Sequence, residues 1–260
     1  MIPPKVIAYN TVHKFVTIDE ILQIASLPTD WDNLAFMRDR AAACLLFLSG
    51  MRGGAFTSLP LAAINLLRME VYQWPIEFQV RTKNNKKETT ILFMIPELLK
   101  IVTEWDDFLR SQVPEEQWLT FLWYPPIQSN WGEMKLSFNI PGGNRGQTLS
   151  KRFRLLYQRA NLEYKSPHKF RHGHAVYGVE RCNTMAEYQA LSRNLMHDSI
   201  KTTDEIYAGI GLRERKNLIS KLTEKLLDQP SDQLSSFLNN LNKEDLLRTI
   251  SVAVKKLSVN

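Results

Sequence analysis

Only two cysteines occur in this 260-residue chain, Cys44 inside an apolar run and Cys182 in a polar one. Thiols so few and so differently placed exclude a disulfide framework and a cysteine-built metal cage, and fit reduced thiols in an intracellular protein. Long apolar runs are missing as well. The longest, Ala41 to Leu48, falls well short of the roughly 20 residues that a membrane helix needs. No charged, apolar, small-residue leader opens the chain. A soluble, cytoplasmic protein is expected. Internal repeats and low-complexity tracts are also lacking.

One further scarcity is local. Between Arg145 and Arg171 stand eight basic residues and a single acid, Glu163. The whole chain carries a net charge of only +6, so this stretch holds the positive excess and the remainder is almost neutral. A concentrated basic zone is the electrostatic footprint of a protein that meets a polyanion, although a solvated helix face gives a milder version of it. Hydrophobic residues make up 44% of the chain, enough for a sizeable core in one or two domains.

Periodicity orders the rest. Thr17-Ile18-Asp19-Glu20 reads as a capping box and predicts a short helix to about Leu27. Trp31 to Ser49 repeats apolar residues at helical spacing until its last turn is apolar on most sides, and Gly50 should end it, leaving Arg52 just beyond a buried helix. Gly53 and Gly54 break the pattern again before another short helix within Phe56 to Leu67. From Met69 to Ile95 strand formers predict an antiparallel hairpin turning at Asn84-Asn85, with Arg81, Lys83, Lys86 and Lys87 near its tip. Helices dominate from Pro96 onwards, interrupted by a loop-like stretch from Pro125 to Gly146. Three helical pieces end the chain, and Asp228-Gln229-Pro230-Ser231 is the main boundary candidate. The fold class expected is α+β, predominantly α-helical with a small antiparallel sheet.

His168-Lys169-Phe170-Arg171-His172 is the most informative pentad. On a helix opened by Pro167, His168, Arg171 and His172 share a face. A guanidinium can grip two phosphate oxygens while imidazoles donate or accept protons beside it. Taken alone, the pentad fits a surface helix with structural histidines equally well. Metal binding is a rival, since His168 and His172 have zinc-helix spacing and His174 follows closely. That reading lacks the intervening Glu of the metalloprotease motif, and Arg171 would repel a dication.

Three ordered boxes resemble the tyrosine recombinase, or phage integrase, family. Leu48-Ser49-Gly50-Met51-Arg52, followed by Leu59, is similar to its first arginine box, and His168 to His172 to its His-x-x-Arg-His box. Leu195-Met196-His197-Asp198-Ser199-Ile200-Lys201-Thr202-Thr203, ending in Ile206-Tyr207, resembles its third. The match runs from about Asp39 to Ala208. It implies the family's catalytic-domain fold, with Tyr207 as nucleophile and Arg52, Lys83, His168, Arg171 and His197 around the phosphate. Thr82-Lys83-Asn84-Asn85-Lys86 matches the run that carries the family's hairpin lysine. Taken alone, these lysines would be a solvated turn, and Tyr207 a packed core residue.

The resemblance further implies site-specific recombination, in integration or excision of a mobile element. On that resemblance, DNA would be cleaved through a 3′-phosphotyrosyl intermediate without cofactor, metal or ATP. The implied partners are double-stranded DNA, further copies of the chain in a tetramer on that DNA, and accessory DNA-bending proteins. Arg81, Lys86, Lys87, Arg145, Lys151, Arg152 and Arg154 are the candidate phosphate contacts. Two alternatives stay open: a type IB topoisomerase-like nicking and resealing enzyme, and a DNA-binding protein that kept the fold without cleavage.

Certain positions depart from the family. Ala55 stands where an acid often follows the first arginine, Met196 holds the usual glycine position, and ten positions separate His197 from Tyr207, one more than usual. Family members carry a core-binding domain ahead of the first box, whereas about 40 residues precede it here. The chain is therefore read as a catalytic domain over 1–228 and a helical extension over 229–260, without the core-binding domain. That extension either packs on the same body or docks on a neighbouring protomer.

Overall fold

A computed structural model describes residues 15–130, 133–139 and 142–196. The expectations placed on His197, Tyr207 and the C-terminal helices lie outside the described residues. Helix α1, Ile18–Ala25, starts on the expected capping box: Thr17 Oγ1 accepts from the Glu20 N–H, and the Glu20 carboxylate accepts from the Thr17 N–H. Helix α2, Leu34–Ser49, is buried almost all round and packs against α1 and three later helices. Burial on almost every side makes this helix the spine of the core. Near its start Asp39, 1% exposed, accepts from Arg38, the Tyr124 hydroxyl at 2.7 Å and Arg152 Nε at 2.6 Å. Those partners satisfy a buried carboxylate that would otherwise be costly.

Gly50 ends α2 with φ +59°, and a Cβ there would stand 2.7 Å from His174 Cδ2. Both the left-handed backbone and the close approach require glycine. The next element differs from expectation. Helix α3, Gly53–Thr57, begins directly after Arg52, so Gly53 and Gly54 open a helix instead of breaking one. A single 3-10 turn, Leu61–Ala63, is all that is helical in the latter half of that segment.

The expected hairpin is present with a third strand beside it. Strands β1 (Ile64–Asn65), β2 (Glu70–Gln73) and β3 (Glu88–Ile91) form an antiparallel sheet in that order, with Val71 opposite Thr90 and Glu70 opposite Ile91. Phe78 and Val80 fall outside the strands, and Val80 instead fills the core. Helix α4, Pro96–Gln112, has proline in its first turn, where the missing N–H costs nothing. The stretch read as a loop contains a second hairpin, β4 (Ile127–Asn130) and β5 (Glu133–Leu136). Helices α5 (Arg145–Arg159), α6 (Pro167–Val179) and α7 (Met185–Asn194) follow, the last on a second capping box, Thr184 with Glu187. Seven α-helices and two small antiparallel sheets among the described residues make the α+β, mainly helical class expected. Among the described residues no helix is long and apolar enough to cross a membrane.

Candidate active site

The end of α2 and the starts of α3 and α6 build the site. Ser49 Oγ donates to the Leu45 carbonyl at 2.6 Å and accepts from the Met51 N–H at 3.3 Å, which tightens the turn into Arg52. Arg52 is the N-cap of α3, with extended backbone, and is half-buried. Its guanidinium forms no hydrogen bond or ion pair with any described residue. A Cβ placed on Gly53 would lie 3.9 Å from Pro167 Cβ, so the first turn of α6 runs beside Arg52. Ala55 is 2% exposed within the core, and a carboxylate there would have to be desolvated.

Arg171 sits on α6 at 4% exposure. Its Nη1 donates to the Gly50 carbonyl at 2.8 Å, and its Nη2 donates to the Leu195 carbonyl. A guanidinium has five N–H donors, so the two carbonyls orient the group and leave three. Burial first, and the Arg52 charge second, push the Arg171 pKa down to about 9, leaving it charged at neutral pH. Neither arginine has a carboxylate partner among the described residues. Two guanidiniums held together without an acid form a local positive field suited to an oxyanion.

His168 stands at the exposed start of α6, with its Nε2 2.9 Å from His172 Nε2. That bond needs one ring nitrogen to carry a proton and the other to lack it. Partial burial, and then the charges of Arg171, Lys169 and Arg52, lower the proton affinity of His168. It therefore favours the neutral form, which can accept a proton. His174 belongs elsewhere. It is fully buried, donates from Nδ1 to the Phe47 carbonyl at 2.7 Å and stacks on Phe93 with ring centroids 4.0 Å apart. Burial drives its pKa down to about 3. The rival metal set thus loses its third imidazole to the support of the Gly50 turn.

Lys83 lies on an exposed 3-10 turn, Lys83–Asn85, where Asn84 and Asn85 have φ of 58° and 50°. Its ammonium makes no hydrogen bond or ion pair with a described residue. The turn's base is fixed: the Arg81 N–H donates to Ser58 Oγ at 2.8 Å, just past α3. Lys87 pairs with Glu77 and lies 4.2 Å from the Trp74 ring centre, while Lys86 is half-buried.

The basic helix divides its cations. Arg145 donates to the Thr57 carbonyl at 2.7 Å and to the Tyr124 carbonyl, and burial brings its pKa to about 10. Arg152 holds Asp39, and Arg154 lies 4.9 Å from the Tyr164 ring centre. Lys151 is exposed. Sequence reasoning missed two features at the end of α7. Met196 adopts φ +54° at 4% exposure, keeping at the usual glycine position the left-handed turn that glycine favours. Asn194 bonds both backbone groups of Ile91, and no local pattern announces that contact.

Comparison with known proteins matches residues 14–211 to the phage integrase family. No curated protein matches the chain in sequence. Among solved structures, XerA recombinase is similar with a TM-score of 0.54 at 19% identity, over 85% of this chain and 66% of that one. XerH site-specific recombinase, in a post-cleavage complex with a palindromic difH substrate, gives 0.51 at 15% identity, over 81% and 54%. The chain thus spans just under two thirds of the first and about half of the second.

Proposed function

The chain belongs to the phage integrase family, and on that premise we propose that it is a site-specific DNA recombinase that cleaves and rejoins strands through Tyr207. The observation that carries this reading is the meeting of Arg52, at the start of α3, with His168 and Arg171 on α6, more than a hundred residues later, with no carboxylate partner for either arginine among the described residues. A scissile phosphate there would gain donors from both arginines as negative charge builds on its nonbridging oxygens.

In the proposed step the Tyr207 oxygen bonds to phosphorus and the bond from phosphorus to the 5′ oxygen breaks. His168 takes the phenolic proton, and Lys83 supplies one to the departing oxygen. His197 hydrogen-bonds the phosphate. A 3′-phosphotyrosyl bond and a free 5′-hydroxyl result, and attack by a 5′-hydroxyl of another strand reverses the chemistry. The partners proposed are double-stranded DNA, three further copies of the chain, and accessory DNA-bending proteins, in the cytoplasm. The XerH structure contains its DNA substrate, which supports the same class of ligand here. Lys151, Arg154 and the hairpin cations Arg81, Lys86 and Lys87 would track phosphates. Arg145 and Arg152 would hold the surface that presents them.

Incubating the protein with nicked DNA from its own element's end tests the proposal. Wild type should give a denaturation-resistant adduct and Tyr207→Phe none. An adduct that persists in the Phe variant would overturn the nucleophile assignment, and absence of one from wild type would leave the binding-only reading.

A further inference from the structure

Strand β3 is an edge of its sheet, and an edge strand presents backbone donors and acceptors to whatever lies alongside. At Ile91 both are taken by one side chain. The Ile91 N–H donates to Asn194 Oδ1 at 2.7 Å, and Asn194 Nδ2 donates to the Ile91 carbonyl at 2.9 Å. The amide stands in for a peptide group of a fourth strand, 103 residues away in sequence. Behind it, buried Gln73 on β2 donates to Thr90 Oγ1 at 2.6 Å, and that hydroxyl donates to the Asn194 carbonyl at 3.5 Å. The following residue, Leu195, offers the carbonyl that receives Arg171.

We propose that Asn194 is a positioning residue whose amide sets the register between the hairpin carrying Lys83 and the Leu195 carbonyl that orients Arg171. The inference rests on the proposed function. Proton delivery to the leaving oxygen succeeds only if the lysine and the clamped phosphate share one frame, because misplacement by about 1 Å can cost orders of magnitude in rate. Asn alone combines this reach with one donor and one acceptor: Asp lacks the donor, and Leu lacks both. The hairpin has other anchors to the body, from the Phe93 N–H to the Leu48 carbonyl and from the Arg81 N–H to Ser58 Oγ. Loss of the amide should therefore shift the hairpin without unfolding the core.

The test compares full-length wild type and Asn194→Leu in single-turnover cleavage of the element's nicked DNA, with either oxygen or sulfur at the 5′ bridging position. A thiol is far more acidic than an alcohol, with a pKa of about 8.5 for cysteine, so a departing thiolate needs no proton from Lys83. N194L should cleave the oxygen substrate about tenfold more slowly, and the sulfur substrate within about threefold of wild type. DNA affinity should stay within about twofold. Exchange of the Ile91 amide should accelerate while α2 stays protected. Equal slowing on both substrates, or wild-type rates on both, would overturn the inference. If N194L loses protection across α2, Asn194→Asp, which keeps the size and one acceptor, decides by the same ratio. No adduct from wild type on either substrate would be a different result, removing the proposed function itself.

Discussion

Arg171 and Lys83 are both cations, yet the chain surrounds them in opposite ways. Arg171 is enclosed, its guanidinium aimed by the carbonyls of Gly50 and Leu195 and its helix backed by His174. Lys83 projects from an exposed turn, and the base of its hairpin is bonded to the body through Ser58, Leu48 and Asn194. The difference matches the two tasks proposed for them. Stabilising charge on a phosphate demands groups fixed before reaction, since reorienting them costs free energy as the charge develops. Delivering a proton demands reach toward DNA, with accuracy set at the hairpin's base. Proposed clamp and proposed acid are thus separable by mutation.

At the exposed end, Lys83→Ala should lower single-turnover cleavage by about 10²- to 10⁴-fold while stability by urea denaturation changes by no more than about 0.5 kcal/mol. A large loss of stability would erase the contrast between the two ends. At the enclosed end, Arg171→Lys should cost about 100-fold in cleavage and also lower stability, because an ammonium cannot bridge both carbonyls and still present a planar fork to phosphate. Full activity in that variant would show that the orientation imposed on Arg171 is irrelevant.

Gly50→Ala tests the enclosure without touching a charge. Its φ of +59° and the 2.7 Å approach to His174 predict a loss of about 2 to 4 kcal/mol, combining backbone strain with overpacking; denaturant titration measures it. The smallest effect, taken per pH unit, concerns acid. His174 is neutral in the fold, with a pKa near 3 against about 6.5 in the unfolded chain. Between these values the unfolded chain binds the extra proton, so the contribution is complete above about pH 6.5 and is lost as pH falls towards 3. Stability should decline by about 1.4 kcal/mol per pH unit within that window through this residue. Asn or Gln at 174 could still donate to Phe47 but does not titrate, so His174→Gln should flatten that part of the profile by one proton. An unchanged slope would place the titration elsewhere.

What was legible in the sequence is what short-range geometry sets. The capping box of α1, the glycine stop after α2 and the i, i+4 pairing of His168 with His172 each depend on residues a few positions apart. The second hairpin was hidden because four-residue strands flanked by Pro125, Pro126, Gly142 and Gly143 look like loop. Helix α3 was hidden because glycine is a weak helix former and tertiary packing overrides that preference. Arg171 was identifiable from its pentad as a candidate phosphate ligand, but its two carbonyl partners come from other elements. The inward turn of His174 and the bridge from Asn194 to Ile91 are likewise long-range contacts with no periodic signature.

The central claim is that Tyr207 attacks a phosphate held by Arg52 and Arg171, and the covalent bond itself is its most direct test. Wild-type protein trapped on nicked DNA, digested with protease and nuclease and mapped by mass spectrometry, should yield one modified peptide, with Tyr207 carrying a 3′-linked nucleotide. Attachment at another residue, or through a 5′-phosphate, would contradict the account.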